Sequence, residues 1–175
     1  MTFGTESRHW RRAVTVVLMC CALLAPSGAA SAQLGETVPP WHRPLPHGRA
    51  EAAITVGDTP LTVQLAVTPD EQTLGLGYRN GLDEGTGMLF VNENAQPRTF
   101  WMKGMRFCLD IIWIEGGQIV GAAERVCPDP VGTADADRAR FESPIPVTYV
   151  LEVPAGWMDE QGYGPGTPVD LSRVP

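Results

Sequence analysis

The residues of this sequence that could do chemistry are concentrated in one stretch, TFWMKGMRFCLDIIWI, at positions 99–114. The cations Lys103 and Arg106, the thiol Cys108 and the carboxylate Asp110 stand there among two tryptophans and two methionines. A carboxylate near cations and an indole could bind a polar ligand or transfer a proton. It could instead anchor a sheet by accepting hydrogen bonds. The anchoring role is the favoured interpretation, and the functional role stays open as the alternative.

Asp110 begins an apolar row in the predicted strand 109–115, because side chains alternate and Ile112 and Ile114 share its face. An unpaired carboxylate in that row would be costly. We therefore expect Asp110 to accept hydrogen bonds or to meet a cation. The cations that could reach it, together with the tryptophan that shares the face of Lys103, form the predicted ligand-binding set: Arg79, Trp101, Lys103, Arg106 and Asp110.

The position of the histidines excludes several kinds of site, since no histidine follows His47. Catalysis by Ser-His-Asp or Cys-His pairs, and zinc held by histidine, are excluded within the domain unless the segment before residue 48 folds back. Met88, Met105 and Met158 could form a soft-metal site. Methionine is, however, an ordinary core residue, and the core interpretation is favoured. We predict no metal and no cofactor.

Cys108 and Cys127 are predicted to form a disulfide. A two-residue glycine turn joins the predicted strands 109–115 and 118–126 into a hairpin. In the simplest register of that hairpin, Arg125 faces Cys108, and Cys127 lies one step diagonal on the same face. An exported protein meets an oxidising environment, so a bond between the two thiols is favoured over two free thiols.

The chain begins with a predicted signal peptide over residues 1–32. A basic segment precedes an apolar run over 13–25, and Ala30-Ser31-Ala32 supplies the small residues of a cleavage site. The run spans only about 20 Å as a helix, against about 30 Å of bilayer core, so a retained membrane anchor is the weaker alternative. Cleavage would leave 143 residues, with 10 basic and 19 acidic side chains and a net charge of −9. That charge disfavours nucleic acid as a partner.

The remaining chain divides into a linker and a domain. Residues 33–50 are rich in proline and predict an extended linker. Residues 51–175 contain short β-type segments separated by turn residues, and one helix that starts after Thr68 with Glu71 completing a capping box. We predict an α+β fold, mostly an antiparallel β-sheet or partial barrel of seven to eight short strands with one short helix.

The motifs GLGYRNGL, GMLFVN, FWMKGM, LDIIWI, YVLEVPAG and GPGTPV, spread over residues 52–171, resemble those of the DUF192 family. The resemblance implies a small, mostly antiparallel β domain, often exported, with no established activity, substrate or cofactor. The family's hallmark positions correspond here to Gly75, Leu76, Arg79, Met88, Leu89, Phe90, Trp101, Met102, Lys103, Leu109, Asp110 and Glu152. This chain departs from the family pattern at Gly77, at Gly104-Met105 and at Cys108.

Two classes of function remain. The favoured one is an exported protein (secreted, periplasmic or on the cell surface) that acts as a non-enzymatic module and binds a small molecule or a protein on a rigid β scaffold. The alternative is an enzyme that uses Asp110 with Arg79 and Lys103 on a small polar substrate. A dry, satisfied carboxylate would favour the module, and a water-lined cleft holding all three residues would favour the enzyme.

We expect a signal peptidase to cut after Ala32, because the basic segment, the apolar run and the Ala-x-Ala site occur in the required order. N-terminal sequencing of the exported protein checks this, with Gln33 as the expected first residue. A first residue of lipidated Cys20 or Cys21 would contradict it.

Overall fold

The structure is a computed structural model that describes residues 49–175. The predicted signal peptide and all but the last two residues of the predicted linker lie outside this range. Between residues 49 and 175 the chain forms nine strands, two short α-helices and a 3-10 turn at Asp135–Asp137. The elements are β1 (Glu51–Val56), β2 (Thr59–Ala66), α1 (Pro69–Leu74), β3 (Thr86–Gln96), β4 (Thr99–Phe100), β5 (Leu109–Glu115), β6 (Gln118–Val126), β7 (Phe141–Glu142), β8 (Val147–Pro154), α2 (Trp157–Gln161) and β9 (Val169–Asp170).

Seven of these strands form one curled sheet in the order β6-β5-β8-β3-β2-β1-β9, while β4 and β7 pair separately. All neighbouring strands in the large sheet are antiparallel except β2 and β3, which are parallel. The connection between these two strands contains α1. A parallel pair needs such a crossover, because a tight hairpin can only join antiparallel strands. The α+β, mostly antiparallel fold predicted from the sequence is confirmed. The short elements α2 and β7 were not predicted.

Apolar side chains cover both faces of the large sheet. The face that we call the Met158 face carries the buried residues Ile54, Val56, Leu61, Val63, Leu65, Leu89, Ile112, Ile114, Ile119, Leu151, Val153, Trp157 and Met158. The opposite face, the Met88 face, carries Ala66, Leu76, Met88, Phe90, Met102, Leu109, Ile111, Trp113, Val126, Val147 and Val150. Met88 and Met158 therefore lie on opposite sides of the sheet, and the three methionines considered for a soft metal do not share one face.

Helix α1 has the predicted ends. The Thr68 hydroxyl accepts from the Glu71 amide at 3.3 Å, and the Glu71 carboxylate accepts from the Thr68 amide at 2.9 Å, which completes the capping box. Gly75 ends the helix with a φ of 50°, a value that favours glycine. In the described part of the chain, no helix is long and apolar enough to cross a membrane.

The hairpin of β5 and β6 has a different register from the predicted one. Ile114 pairs with Ile119 near the turn, but two irregularities shift the later pairs until Leu109 faces Val126. Each β-bulge inserts an extra residue on one strand, and Arg125 at the second has a φ of 50°. The shift moves Cys127 from the predicted diagonal position to a place opposite Cys108. The predicted disulfide is present, with the two Cα atoms 4.1 Å apart.

Candidate functional site

Asp110 lies on the Met158 face, is fully buried, and accepts three hydrogen bonds from backbone amides. Its Oδ1 accepts from the amides of Arg125 at 2.7 Å and Gly156 at 3.0 Å, and its Oδ2 accepts from the Met158 amide at 3.0 Å. Charge-assisted bonds of this kind compensate for the lost hydration of a buried carboxylate. The side chain therefore connects β5 to the end of β6 and to the start of α2, and all three of its hydrogen bonds are made within the protein.

The donors of Asp110 explain two local irregularities. The left-handed backbone at Arg125 turns its amide out of the β5–β6 ladder and toward Asp110. Helix α2 starts after Gly156, which has no side chain to cap the free amides of the first turn. The Asp110 carboxylate takes the place of the missing cap by accepting from Gly156 and Met158. One side chain thus fixes both the bulge of β6 and the start of α2.

Trp101 and Lys103 lie in a turn, not in the strand predicted over 98–103, because only Thr99–Phe100 pairs with β7. Trp101 is 39% exposed. The Lys103 ammonium lies 5.2 Å from the centroid of its ring, and the Arg140 guanidinium lies 4.4 Å from it. Lys103 also pairs with Asp135 at 2.5 Å. Together, Trp101, Lys103 and Arg140 form an exposed surface that we call the Trp101 surface.

The five predicted site residues do not form one site. Arg106 donates to Asn80 at 3.1 Å on the exposed surface. Arg79 donates from Nη2 to the Gln64 side chain at 2.7 Å, on the Met88 face. Since Asp110 lies on the other face of the sheet and its oxygens accept three amides, it is not brought together with Arg79. Trp101 and Lys103 are the two predicted residues that do contact each other.

The Met88 face contains a second buried carboxylate, Glu152. Cross-strand pairing places Gln64, Met88, Glu152 and Ile111 in one row across β2, β3, β8 and β5, so their side chains point to the same face. Glu152 is 6% exposed. Its Oε2 atom finds no hydrogen-bond partner among residues 49–175. Buried polar atoms are nearly always paired, so this one calls for an explanation.

Two arginines lie beside the Glu152 row. Arg49 donates from Nη1 to the Met88 sulfur at 2.9 Å, and from Nη2 to the carbonyls of Glu71 and Gly75, each at 3.1 Å. Those carbonyls end α1, where a cation is favourable. Arg79 follows Tyr78, whose φ of 65° is unusual for a residue with a side chain. We call Arg49, Arg79 and Glu152 the Glu152 site.

The electrostatics of the Glu152 site are dominated by burial. Loss of hydration raises the pKa of the Glu152 carboxyl from its ordinary 4.5 to about 8, and the charges of Arg49 and Arg79 offset this only in part. Burial is also the main cause that lowers the pKa of both guanidiniums, although an arginine remains charged at neutral pH. At pH 7 the site therefore holds two cations and a protonated carboxyl group.

The binding residues predicted from the sequence centre on residues 99–114 and do not include Glu152 or Arg49. The sequence did contain a signal for this site. Side chains alternate between the two faces of β8, so Glu152 shares a face with the apolar Val150. A charged residue inside such a strand indicates either a paired ion or a site. Arg49 was missed because it stands at the end of the predicted linker, where a contact with the domain was not expected.

This arrangement defines the protein as a β-rich α+β domain with a buried carboxylate and two arginines on one face of a curled sheet. A sequence profile of the DUF192 family, described as Uncharacterized ACR, matches residues 52–171. The chain therefore belongs to the DUF192 family. A comparison with curated proteins gives no match.

Solved structures share the fold. One is a protein from Sinorhizobium meliloti 1021 that is provisionally described as a transcription regulator. It is 31% identical, with a TM-score of 0.63, over 71% of this chain and 95% of that one. Another is a protein of unknown function from Novosphingobium aromaticivorans DSM 12444. It is 28% identical, with a TM-score of 0.63, over 78% of this chain and 95% of that one.

Replacing Asp110 by asparagine should destabilise the fold by about 3 kcal/mol, because one carboxylate oxygen becomes a donor that faces a backbone amide. Urea unfolding measures this change. Asp159→Asn is the matched control, since it removes an exposed carboxylate that pairs with Arg125 and should leave stability nearly unchanged. Equal stability of Asp110→Asn and the unmodified protein would refute the anchoring role.

Glu152 should make the protein less stable as the pH rises from about 5 to about 8. In this window the unfolded chain has released the proton that the folded state still holds, so the free energy of unfolding falls by at most about 1.4 kcal/mol per pH unit. Below the window both states are protonated, and this effect vanishes. Urea unfolding at several pH values tests the slope. Glu152→Gln should remove it, and an unchanged slope in that variant would contradict the assignment.

Proposed function

We propose that this protein is an exported, non-enzymatic module that binds a small polar ligand at the Glu152 site. Export is supported by the order of basic, apolar and small residues before position 33. It is supported also by the Cys108–Cys127 disulfide, because disulfides persist in oxidising compartments. The rigid scaffold is the seven-stranded sheet, which carries Glu152 in the middle of a row that four strands contribute.

One observation carries the binding function: the Glu152 carboxyl group is buried with an unpaired Oε2 beside two arginines. Burying a polar group without a hydrogen bond costs stability. Natural proteins retain a destabilising, unpaired polar group chiefly at binding and catalytic sites, where the group contributes to function. A ligand that completes the hydrogen bonds of Glu152 would recover part of that free energy on binding.

Binding is favoured over catalysis by the residues around Glu152. The domain has no histidine after His47 to act as a general base. On the strands beside Glu152, the same row offers the neutral Gln64 and the apolar Met88 and Ile111. A nucleophile with an adjacent base, which covalent catalysis needs, is not present in this row. Two cations and a protonated carboxyl group are suited to holding a ligand in place.

The Trp101 surface supports a second candidate function, the binding of a protein. Trp101 is one of few large apolar side chains exposed in the described residues, and cations lie over its ring. Tryptophan and arginine are enriched at protein interfaces. Lys103, predicted as a binding residue from the sequence, belongs to this surface. The two functions are compatible, since the Glu152 site and the Trp101 surface use different residues.

Nucleic acid is not proposed as a partner, although one structurally similar protein is provisionally described as a transcription regulator. DNA-binding surfaces are strongly basic, because they replace the counterions of phosphate groups. The full chain carries 20 acidic against 13 basic residues. Its acidic character electrostatically opposes the polyanionic backbone of a nucleic acid.

Native mass spectrometry tests the proposed function. The purified protein is incubated with the low-molecular-weight fraction of a cell extract, desalted, and measured without denaturation. We expect a non-covalent adduct whose occupancy falls at least about tenfold in Arg79→Gln, because a hydrogen bond to a charged group contributes roughly 1.5–3 kcal/mol. Arg173→Gln is the matched control, since it removes an exposed guanidinium near the C-terminus and should keep the adduct.

A folding check and a conservative variant make the comparison specific. Circular dichroism establishes that each variant is folded before its occupancy is compared. Arg79→Lys, which keeps the charge and loses the planar pair of donors, should give an intermediate occupancy. An adduct held equally by Arg79→Gln and the unmodified protein would place the ligand elsewhere and contradict the proposal, as would the absence of any adduct.

A further inference from the structure

We infer that the ligand of the Glu152 site carries an oxyanion and is captured together with a proton that stays on Glu152. The inference rests on the proposed function and names the chemistry of its ligand. An oxyanion here is a carboxylate, or a sulfate- or phosphate-like group. These groups share charged oxygen atoms that accept hydrogen bonds from guanidinium and carboxyl donors.

The sign of the local charge selects an anion. The charged and polar groups on the elements around Glu152 are Arg49 before β1, Glu51 on β1, Gln64 on β2, Glu71 on α1 and Arg79 after α1. Glu51 is exposed at the far end of the row. The Glu71 carboxylate already accepts from the amides of Val67 and Thr68. With Glu152 protonated, the two guanidiniums leave the site positive, and it should attract an anion and repel a cation.

The donors that remain fit an oxyanion as well. Arg79 uses one N–H on Gln64, whereas a guanidinium has five N–H groups in a planar arrangement. Two parallel donors of this kind match the two oxygens of a carboxylate. Arg49 is held more firmly, because its Nη1 and Nη2 both donate to the protein. Arg79 is therefore the principal ligand-binding residue, and Arg49 chiefly contributes charge.

Glu152 completes the site only while it carries its proton. A protonated carboxyl group donates one hydrogen bond, and the unpaired Oε2 is the atom that could direct it to the ligand. An ionised Glu152 would instead repel a second anion in this buried position. Because the pKa of Glu152 in the free protein is about 8, anion affinity should be nearly constant below that pH. Above it, affinity should fall by up to about tenfold per pH unit.

Isothermal titration calorimetry with simple probes tests the inference. Sodium acetate, benzoate and sulfate are titrated into the purified protein at pH 7, 8 and 9, with acetamide, benzamide and benzylamine as neutral and cationic counterparts. All three anions remain ionised over this range, so a pH effect reports on the protein. We expect binding of at least one anion and none of its neutral or cationic counterparts. Affinity should be about tenfold weaker at pH 9 than at pH 7. The carboxylates and sulfate together distinguish a planar from a tetrahedral ligand.

Two variants and one thermodynamic readout make the result specific. Arg79→Gln should weaken anion binding at least about tenfold. Glu152→Gln keeps a donor but cannot titrate, so its anion affinity should not change between pH 7 and pH 9. Above pH 8, titrations in two buffers of different ionisation enthalpy should show close to one proton taken up per anion.

Several results would overturn the inference. They are preferential binding of the neutral or cationic probes, anion affinity that is equal at pH 7 and pH 9, and pH dependence that survives in Glu152→Gln. If the extract adduct is lost in Arg79→Gln while no anion binds, the oxyanion is wrong and the binding function stands. If neither an adduct nor anion binding is found, both proposals are wrong.

Discussion

The Asp110 carboxylate is the interaction on which the rest of the structure depends. It joins β5 to the bulge of β6 through the Arg125 amide, and to the start of α2 through the amides of Gly156 and Met158. These elements are up to 48 residues away along the chain. The bulge in turn sets the register that places Cys127 opposite Cys108. A buried charge is tolerable here because its donors are fixed backbone amides.

Asp110 and Glu152 show how neighbouring buried carboxylates can differ in role. Asp110 pairs with Val153 and Ile111 pairs with Glu152, so the two acids occupy adjacent rows on adjacent strands and point to opposite faces. Burial is nearly equal, but hydrogen bonding is not: three amides reach Asp110, and Oε2 of Glu152 has no partner among residues 49–175. The satisfied carboxylate stabilises the fold. The unsatisfied one raises the free energy of the folded state and holds its proton, which are the properties of a site that is ready for a ligand.

Sequence patterns predicted the parts of this fold that depend on local physics. The bounds of β5 and β6, the glycine turn between them and the capping box of α1 all follow from residues within a few positions of one another. Helix α2 could not be predicted, because its cap comes from Asp110 and not from Gly156. The disulfide was predicted from a register that the bulges then changed. The Glu152 site was not predicted, because Arg49 and Arg79 are distant from Glu152 in sequence and only the curled sheet brings them near β8.

The position of Arg79 depends on a contact between two loops. Tyr78 adopts a left-handed backbone, and its amide donates to the Gly104 carbonyl at 2.8 Å. Gly104 has a φ of 75°, and a Cβ at that position would lie 3.0 Å from the Tyr78 ring. Only glycine therefore fits both the turn and the ring without displacement. Since Arg79 follows Tyr78 directly, this contact also constrains the backbone from which the Arg79 side chain extends. The turn that bears Trp101 and Lys103 and the site that holds Glu152 are thus connected through one packed contact.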